Sequence, residues 1–180
     1  YWRTFLFIEG AETLDVAETL EHARQAAATF GRFQLLLADL PGPRLHETIV
    51  DFHDTTKRFG QLLEALDADM LDRTRRCEAE AEVARSRSGL ASALTSQINS
   101  GAIPERITHN DTKLNNVMFD IETGEGVCVI DLDTVMPGSV LYDFGDMVRT
   151  ATMTAPEDEP DLSKGFSQFQ CVHDMMQNAM

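Results

Sequence analysis

The chain has 180 residues, of which 43% are apolar and 25% are charged, an ordinary composition for a globular protein with a buried core. Its formal net charge of −15 argues against a nucleic-acid partner, because phosphate backbones are bound by clustered lysine and arginine. The charge suits a neutral or cationic small substrate, or phosphates bound through a metal ion. An acidic surface that serves only solubility explains it equally well.

Cysteine usage and hydropathy give expectations about location. Cys77, Cys128 and Cys171 are an odd, scattered set without a CxxC pair, which favours a reducing compartment over a disulfide framework. No apolar run is long enough to cross a membrane, and no signal-peptide pattern is present. We therefore expect a cytoplasmic protein with no membrane partner. The chain begins at Tyr1 and not at a methionine, so we also expect a fragment or a processed chain.

The beginning of the chain predicts one strand followed by one helix. Residues 2–8 mix aromatic and aliphatic side chains in a short run, which is typical of a strand, and Glu9-Gly10 offers a turn. A helix is predicted from Asp15, which stands at capping-box spacing from Glu18. The Pro-Gly-Pro sequence at 41–43 ends that helix.

The next segment is predicted to be helical with a polar surface. A connection over 44–53 leads to a helix that either Asp54 or Thr55 caps. Residues 69–84 predict a long helix whose arginines and glutamates stand at pairing distances, which indicates a solvated face. A further helix is predicted from Leu90 to the glycine at 101.

The pattern changes to short strands after residue 102. Residues 117–120 and 127–130 are two short apolar runs separated by Thr-Gly-Glu-Gly, which predicts a β-hairpin. A helix is predicted over 141–151. The acidic, proline-containing stretch 155–161 predicts a loop, and residues 166–180 are apolar without a clear end signal.

The stretch from His109 to Asp133 places polar clusters at one end of this hairpin. Phosphoryl transfer requires a carboxylate for the attacking hydroxyl, oxygen ligands for Mg²⁺ and a cation near the moving phosphoryl group. Asp111 fits the first role, Asn116 and Asp131 fit the second, and Lys113 fits the third. His109, Asp111 and Asn116 have the spacing of the protein-kinase catalytic loop, in which His-x-Asp is followed five residues after the Asp by Asn.

Two motifs carry a resemblance to a known family. His-Asn-Asp-Thr-Lys-Leu-Asn-Asn-Val at 109–117 and Val-Ile-Asp-Leu-Asp-Thr-Val at 129–135 resemble the aminoglycoside phosphotransferase-like kinases. A Lys in place of the usual His, and Leu-Tyr-Asp-Phe-Gly-Asp at 141–146, are most similar to the N-acetylhexosamine 1-kinase-like sugar kinases. The resemblance implies an α+β, protein-kinase-like fold whose mainly helical carboxy-terminal lobe carries the hairpin.

The resemblance also implies roles for individual residues. Asp111 corresponds to the catalytic base, and Lys113 lies near the transferred phosphate. Asn116 and Asp131 correspond to the Mg²⁺ ligands. The ATP adenine is expected at a hinge formed by three residues, namely Ile8, Glu9 and Gly10.

The same resemblance predicts how the domains are divided. Residues 1–10 correspond to the last strand of the amino-terminal lobe and the hinge, and residues 11–180 to a carboxy-terminal lobe that is incomplete at its end. The phosphate-covering loop and the strand lysine of the family are not in this sequence, and residues after Lys164 depart from the family pattern. We therefore expect little or no activity from this chain alone.

The functional expectation is an ATP- and Mg²⁺-dependent kinase for a hydroxyl of a small molecule, with a sugar such as an N-acetylhexosamine as the acceptor. An aminoglycoside, choline or another small alcohol stays open, and so does a non-catalytic kinase-like module that binds a ligand or partner. A glycosidase-type carboxylate pair does not explain Lys113 and Asn116. His109 is expected to be structural, while Asp133 and Asp143 are either supporting carboxylates or purely structural groups.

Overall fold

The computed structural model describes residues 4–153. Its helices and strands, in chain order, are β1 Ala11–Thr13, α1 Leu20–Leu37, α2 Thr55–Ala68, α3 Glu78–Ser86, α4 Ala93–Asn99, β2 Arg106–Thr108, β3 Val117–Asp120, β4 Gly126–Val129, β5 Met136–Gly138 and α5 Val140–Ala151. The mixture of helices with small antiparallel sheets agrees with the predicted α+β class. None of the helices within residues 4–153 has the length and apolar character needed to cross a bilayer.

The chain divides into two compact units. The first unit joins the described residues up to Thr48 to those from Arg106 onward, and the second unit spans Ile49–Glu105. All the residues predicted to form the site belong to the first unit. The predicted boundary between residues 1–10 and 11–180 stays a prediction.

The main sheet of the first unit contains the predicted hairpin. β3 and β4 pair antiparallel, with Val117 opposite Val129, and β1 pairs antiparallel with the other edge of β3. The turn between β3 and β4 is organised by Asp120, whose Oδ1 accepts the backbone N–H of Thr123 at 2.7 Å and its hydroxyl at 3.0 Å. This Asx-type turn explains why the hairpin could be predicted from local sequence.

Helix α1 packs its apolar face on this sheet. Ala26 and Phe30 form the buried core together with Leu114, Val117 and Phe119. Burying one aromatic side chain such as Phe30 contributes about 2–3 kcal/mol, so this face holds α1 against β3.

The approach of α1 to β4 depends on a glycine. A Cβ on Gly126 would lie 2.0 Å from Thr29 Oγ1, well inside contact distance. The close approach lets Arg32 Nη2 donate to the carbonyl of Gly126 at 2.7 Å and Gln25 Oε1 accept its N–H at 3.3 Å. Helix and strand are therefore joined by polar bonds at the edge of the core.

The predicted start of the chain is wrong in two respects. Residues 4–8 form no strand, and the strand of this region is instead β1 at 11–13; residues 2 and 3 lie outside the described part. Helix α1 begins at Leu20 and not near Asp15, because the side chain of Thr19 accepts the N–H of His22 at 3.2 Å as the N-cap.

The second sheet of the first unit leads into α5. β2 and β5 pair antiparallel, with Thr108 opposite Met136. Helix α5 follows β5 directly, and the hydroxyl of Ser139 caps it by accepting the N–H of Leu141. The predicted helix over 141–151 is therefore confirmed, with one more residue at its start.

The second unit is a set of short helices. Asp54 caps α2 by accepting the N–H of Lys57 at 2.9 Å, which decides between the two predicted caps. The predicted long helix over 69–84 is interrupted, because Asp69 adopts a left-handed conformation and its carboxylate accepts the N–H groups of Arg73 and Thr74. Regular α-helix resumes only with α3 at Glu78.

Candidate active site

The loop between β2 and β3 carries the predicted catalytic residues, and His109 anchors it from inside. The imidazole is fully buried, with its Nε2 2.9 Å from the carbonyl of Ile130. Its Nδ1 accepts the N–H of Asp111 at 3.3 Å, so Nε2 carries the proton that reaches Ile130. The edges of the rings of Phe30 and Phe33 pack against it, at centroid distances of 5.4 and 5.7 Å. These contacts give His109 a structural role.

A buried carboxylate on α5 holds the backbone of the same loop. Asp143, only 3% exposed, accepts the N–H of His109 at 3.0 Å through Oδ2 and that of Asn110 at 2.7 Å through Oδ1. Its own backbone carbonyl accepts the hydroxyl of Thr112 at 2.6 Å. The residues on both sides of Asp111 are therefore fixed to the first turn of α5. Asp143 is therefore a supporting carboxylate for this loop, one of the two roles that the sequence left open.

Asn110 shapes the turn that precedes Asp111. Its backbone has φ +67°, a left-handed conformation that asparagine tolerates better than most residues. The buried amide donates from Nδ2 to the carbonyls of Thr108 at 3.1 Å, Thr134 at 3.0 Å and Met136 at 3.4 Å. Opposite it, a Cβ on Gly138 would lie 2.6 Å from Asn110 Oδ1, so β5 must carry a glycine there. The turn is thus fixed by one amide group.

Asp111, Lys113 and Asn116 form one cluster in the loop, in which Asn116 is buried at 6% exposure. The Asp111 side chain is 24% exposed, and Lys113 Nζ lies 3.5 Å from its Oδ1. Asn116 Nδ2 donates to the backbone carbonyl of Asp111 at 2.8 Å and to its Oδ2 at 3.2 Å. The structure therefore brings the predicted base, cation and amide together, with the carboxylate still reachable from outside.

Asp131 lies at the same end of the hairpin as Asn116. The N–H of Ile130 donates to the carbonyl of Asn116 at 2.9 Å, which places residues 116 and 131 at the same end of β3 and β4. Asp131 is exposed and has φ +57°, an uncommon conformation outside glycine. Because Asn116 Nδ2 is engaged by Asp111, its Oδ1 is left as the acceptor. A carboxylate and an amide oxygen are hard donors that fit Mg²⁺.

The predicted hinge lies at the opposite end of β3. Gly10 has φ +71°, and its carbonyl accepts the N–H of Ile121 at 2.9 Å. Asn116 precedes the first residue of β3, whereas Ile121 follows its last residue. At about 3.4 Å per residue, the two positions lie roughly 17 Å apart along the strand. Ile8 is half-buried and Glu9 is exposed. The length of β3 thus separates the predicted hinge from Asn116.

Several residues that hold this site were not singled out from the sequence. Asn110 and Thr112 look like ordinary loop residues, and Gln34 lies in the last turn of α1. Their burial and bonds depend on partners far along the chain, for which the local sequence carries no signal. The left-handed turn at Asn110 is the exception, because asparagine is a common residue for that conformation.

The cluster has the groups that a phosphoryl-transfer site requires: a reachable carboxylate, a lysine beside it, and an amide and second carboxylate at the end of the neighbouring hairpin. These groups and the α+β fold are consistent with a phosphotransferase. The model of the phosphotransferase enzyme family matches residues 1–173, and the chain belongs to that family. The match confirms the resemblance to the aminoglycoside phosphotransferase-like family.

Proposed function

We propose that the protein transfers the γ-phosphoryl group of ATP to a hydroxyl of a small molecule, with Asp111 as the base. The observation that carries the proposal is the Asp111 cluster, in which a reachable carboxylate contacts both Lys113 and Asn116. The carboxylate would orient the acceptor hydroxyl and take its proton as the bond to phosphorus forms. Lys113, 3.5 Å away, would place positive charge beside the transferred group.

Asn116 Oδ1 and the Asp131 carboxylate would hold Mg²⁺, which would supply charge neutralisation for the phosphates. The bond from Asn116 Nδ2 to Asp111 Oδ2 couples the two functions, because it orients the amide oxygen and the base together. We place the adenine at Ile8, Glu9 and Gly10. The separation of Gly10 from Asn116 along β3 is on the scale of an extended nucleoside triphosphate.

The acceptor we propose is a sugar such as an N-acetylhexosamine, on the basis of Lys113 and the motif at 141–146. An aminoglycoside and choline are the competing acceptors. The formal charge of −15 supports a small molecule and not a nucleic acid, and we propose a cytoplasmic location on the basis of the three scattered cysteines.

The test is Asp111→Asn in the full-length protein, with phosphoryl transfer measured by ADP release against a panel of N-acetylhexosamines, aminoglycosides and choline. We expect kcat to fall by about 10²–10⁴-fold, the usual contribution of general base catalysis. Mg²⁺–ATP affinity should change less than about twofold, because an amide keeps the size of the side chain. Asp39→Asn, at an exposed position after α1, is the matched control.

Two results would overturn the proposal. Retained turnover in Asp111→Asn would remove the carboxylate from the reaction. Tight binding of nucleotide by the wild-type protein without transfer to any acceptor of the panel would favour the non-catalytic module instead.

A further inference from the structure

Gln34 links a distant helix to the carboxylate that holds the catalytic loop. Its Nε2 donates to Asp143 Oδ2 at 2.7 Å, across a sequence separation of 109 residues. The same oxygen accepts the N–H of His109, and the other oxygen accepts that of Asn110. One buried carboxylate is therefore shared between a side chain of α1 and the backbone that leads into Asp111.

The sharing matters because an aspartate carboxylate rotates easily. The terminal torsion of Asp has a broad, two-fold profile, so the side chain alone does not fix the plane of its oxygens. If the carboxylate rotates, the N–H groups of His109 and Asn110 that donate to it are displaced with its oxygens. Gln34, half-buried on a helix whose core face packs on β3, supplies a donor from a rigid element.

We propose that Gln34 is a positioning residue for Asp111. By holding Asp143 Oδ2 in place, it sets the backbone of residues 109–112 and thereby the direction of the Asp111 carboxylate. The kinetic part of this inference rests on the proposed function, whereas the effect on the loop does not. Gln34 is proposed to act only through Asp143, and not by contacting the acceptor hydroxyl or the phosphoryl group.

The chemistry of the contact gives an ordered series of variants. Leu at position 34 keeps a similar volume and removes the donor. Glu brings a carboxylate oxygen to within hydrogen-bonding distance of Asp143, so like-charge repulsion replaces attraction. Lys restores an N–H donor to the same oxygen. We expect the loop to be most ordered in the wild type and progressively less ordered in Gln34→Lys, Gln34→Leu and Gln34→Glu.

The first experiment measures the loop without requiring any activity. Hydrogen exchange of the amides of His109 and Asn110 is compared with that of β3 amides in the full-length protein, so general destabilisation affects both. We expect Gln34→Leu to speed exchange of the loop amides by roughly tenfold relative to β3, as for loss of one hydrogen bond to a charged group. Gln61→Leu, at an exposed glutamine of α2, should leave the ratio unchanged. An unchanged ratio in Gln34→Leu overturns the inference.

The second experiment measures turnover with the acceptor that the wild-type protein uses. We expect Gln34→Leu to lower kcat by roughly tenfold, because small displacements of a catalytic group are costly, with KM for ATP unchanged. Gln34→Lys should recover most of kcat, and Gln34→Glu should be the slowest. Equal kcat in Gln34→Leu and wild type overturns the kinetic role. If the wild type has no turnover, the proposed function has failed and the exchange ratio alone decides on Gln34.

Discussion

Replacing Asn110 by Asp tests most directly how the loop that carries Asp111 is held in place. The two side chains have the same shape, but the substitution turns the donor Nδ2 into an oxygen. That oxygen would face the carbonyls of Thr108, Thr134 and Met136, which now accept from the amide at 3.1, 3.0 and 3.4 Å. Aspartate tolerates the left-handed conformation about as well as asparagine, so backbone strain does not change.

The magnitude follows from these contacts. Each of the two shorter bonds contributes about 1 kcal/mol net, and the buried carbonyls left facing an acceptor add a further penalty of about 1–3 kcal/mol. Asn110 is only 3% exposed, so a charged carboxylate there also loses its hydration. We expect Asn110→Asp to lower the free energy of unfolding by about 3–5 kcal/mol at pH 7.

The effect should depend on pH in a particular direction. Burial and the facing carbonyls disfavour the charged form, so the pKa of the new carboxyl would be raised in the folded state. When the pKa of a group is higher in the folded than in the unfolded state, its contribution to stability is fully present below the unfolded-state pKa. That contribution is lost as the pH rises through the folded-state pKa. The deficit relative to wild type should therefore shrink when the pH falls from 7 to 4.

Urea unfolding of the wild type and of Asn110→Asp at pH 4 and pH 7 measures this stability deficit. Unfolding is monitored by the fluorescence or circular dichroism of the whole chain. Asn99→Asp, at an exposed residue ending α4, is the control and should stay within about 0.5 kcal/mol of wild type. A deficit under 1 kcal/mol at pH 7, or one that grows on acidification, would refute the assigned orientation of the amide.

Three further predictions concern the frame of the site. Gly138→Ala should lower both stability and kcat, since the new methyl would lie 2.3 Å from Thr108 Oγ1 beside the catalytic loop; thermal unfolding and ADP release check this. Thr19→Ala should cost about 1 kcal/mol in urea unfolding through loss of the α1 N-cap, and Thr19→Ser should be nearly neutral. The backbone N–H of Thr123 lowers the pKa of Asp120, so its stabilisation is present above the ordinary pKa of aspartate and is lost as pH falls through the lowered value. In Asp120→Asn, the stability of the hairpin, measured by hydrogen exchange, should therefore fall less as the pH is lowered into the acid range.

The parts of the fold that could be predicted are those whose signals are local. The hairpin needs only two short apolar runs and a turn that Asp120 organises within three residues. Helix α5 needs only its own apolar pattern and a cap at Ser139. The clustering of Asp111 and Asn116 likewise follows from five residues of spacing within one short loop.

The parts that failed depend on partners far along the chain. The strand predicted over 2–8 has suitable residues, but strand formation requires a partner, and β3 offers its edge to Ala11–Thr13 instead. The start of α1 is an exception, because its cause is local. Asp15 and Glu18 have capping-box spacing, but Thr19 accepts the N–H of His22 and caps the helix instead. The hydrogen bonds to Asp143 come from His109 and Asn110, more than 30 positions earlier in the chain, and no local pattern predicts them.

The site combines buried, hydrogen-bonded loop residues with a partly exposed carboxylate at Asp111, and this difference bears on how it could work. The residues flanking Asp111 are buried and hydrogen-bonded to Asp143 of α5, whereas its carboxylate, among the described residues, contacts Lys113 at 3.5 Å and Asn116 at 3.2 Å. Such long contacts at a partly exposed group are weak, so a substrate hydroxyl can replace them at little cost. The backbone bonds would stay intact during that exchange, because Asp143 holds them from inside. The fold thus sets the orientation of the proposed base before any substrate binds, which is the condition under which positioning lowers a reaction barrier.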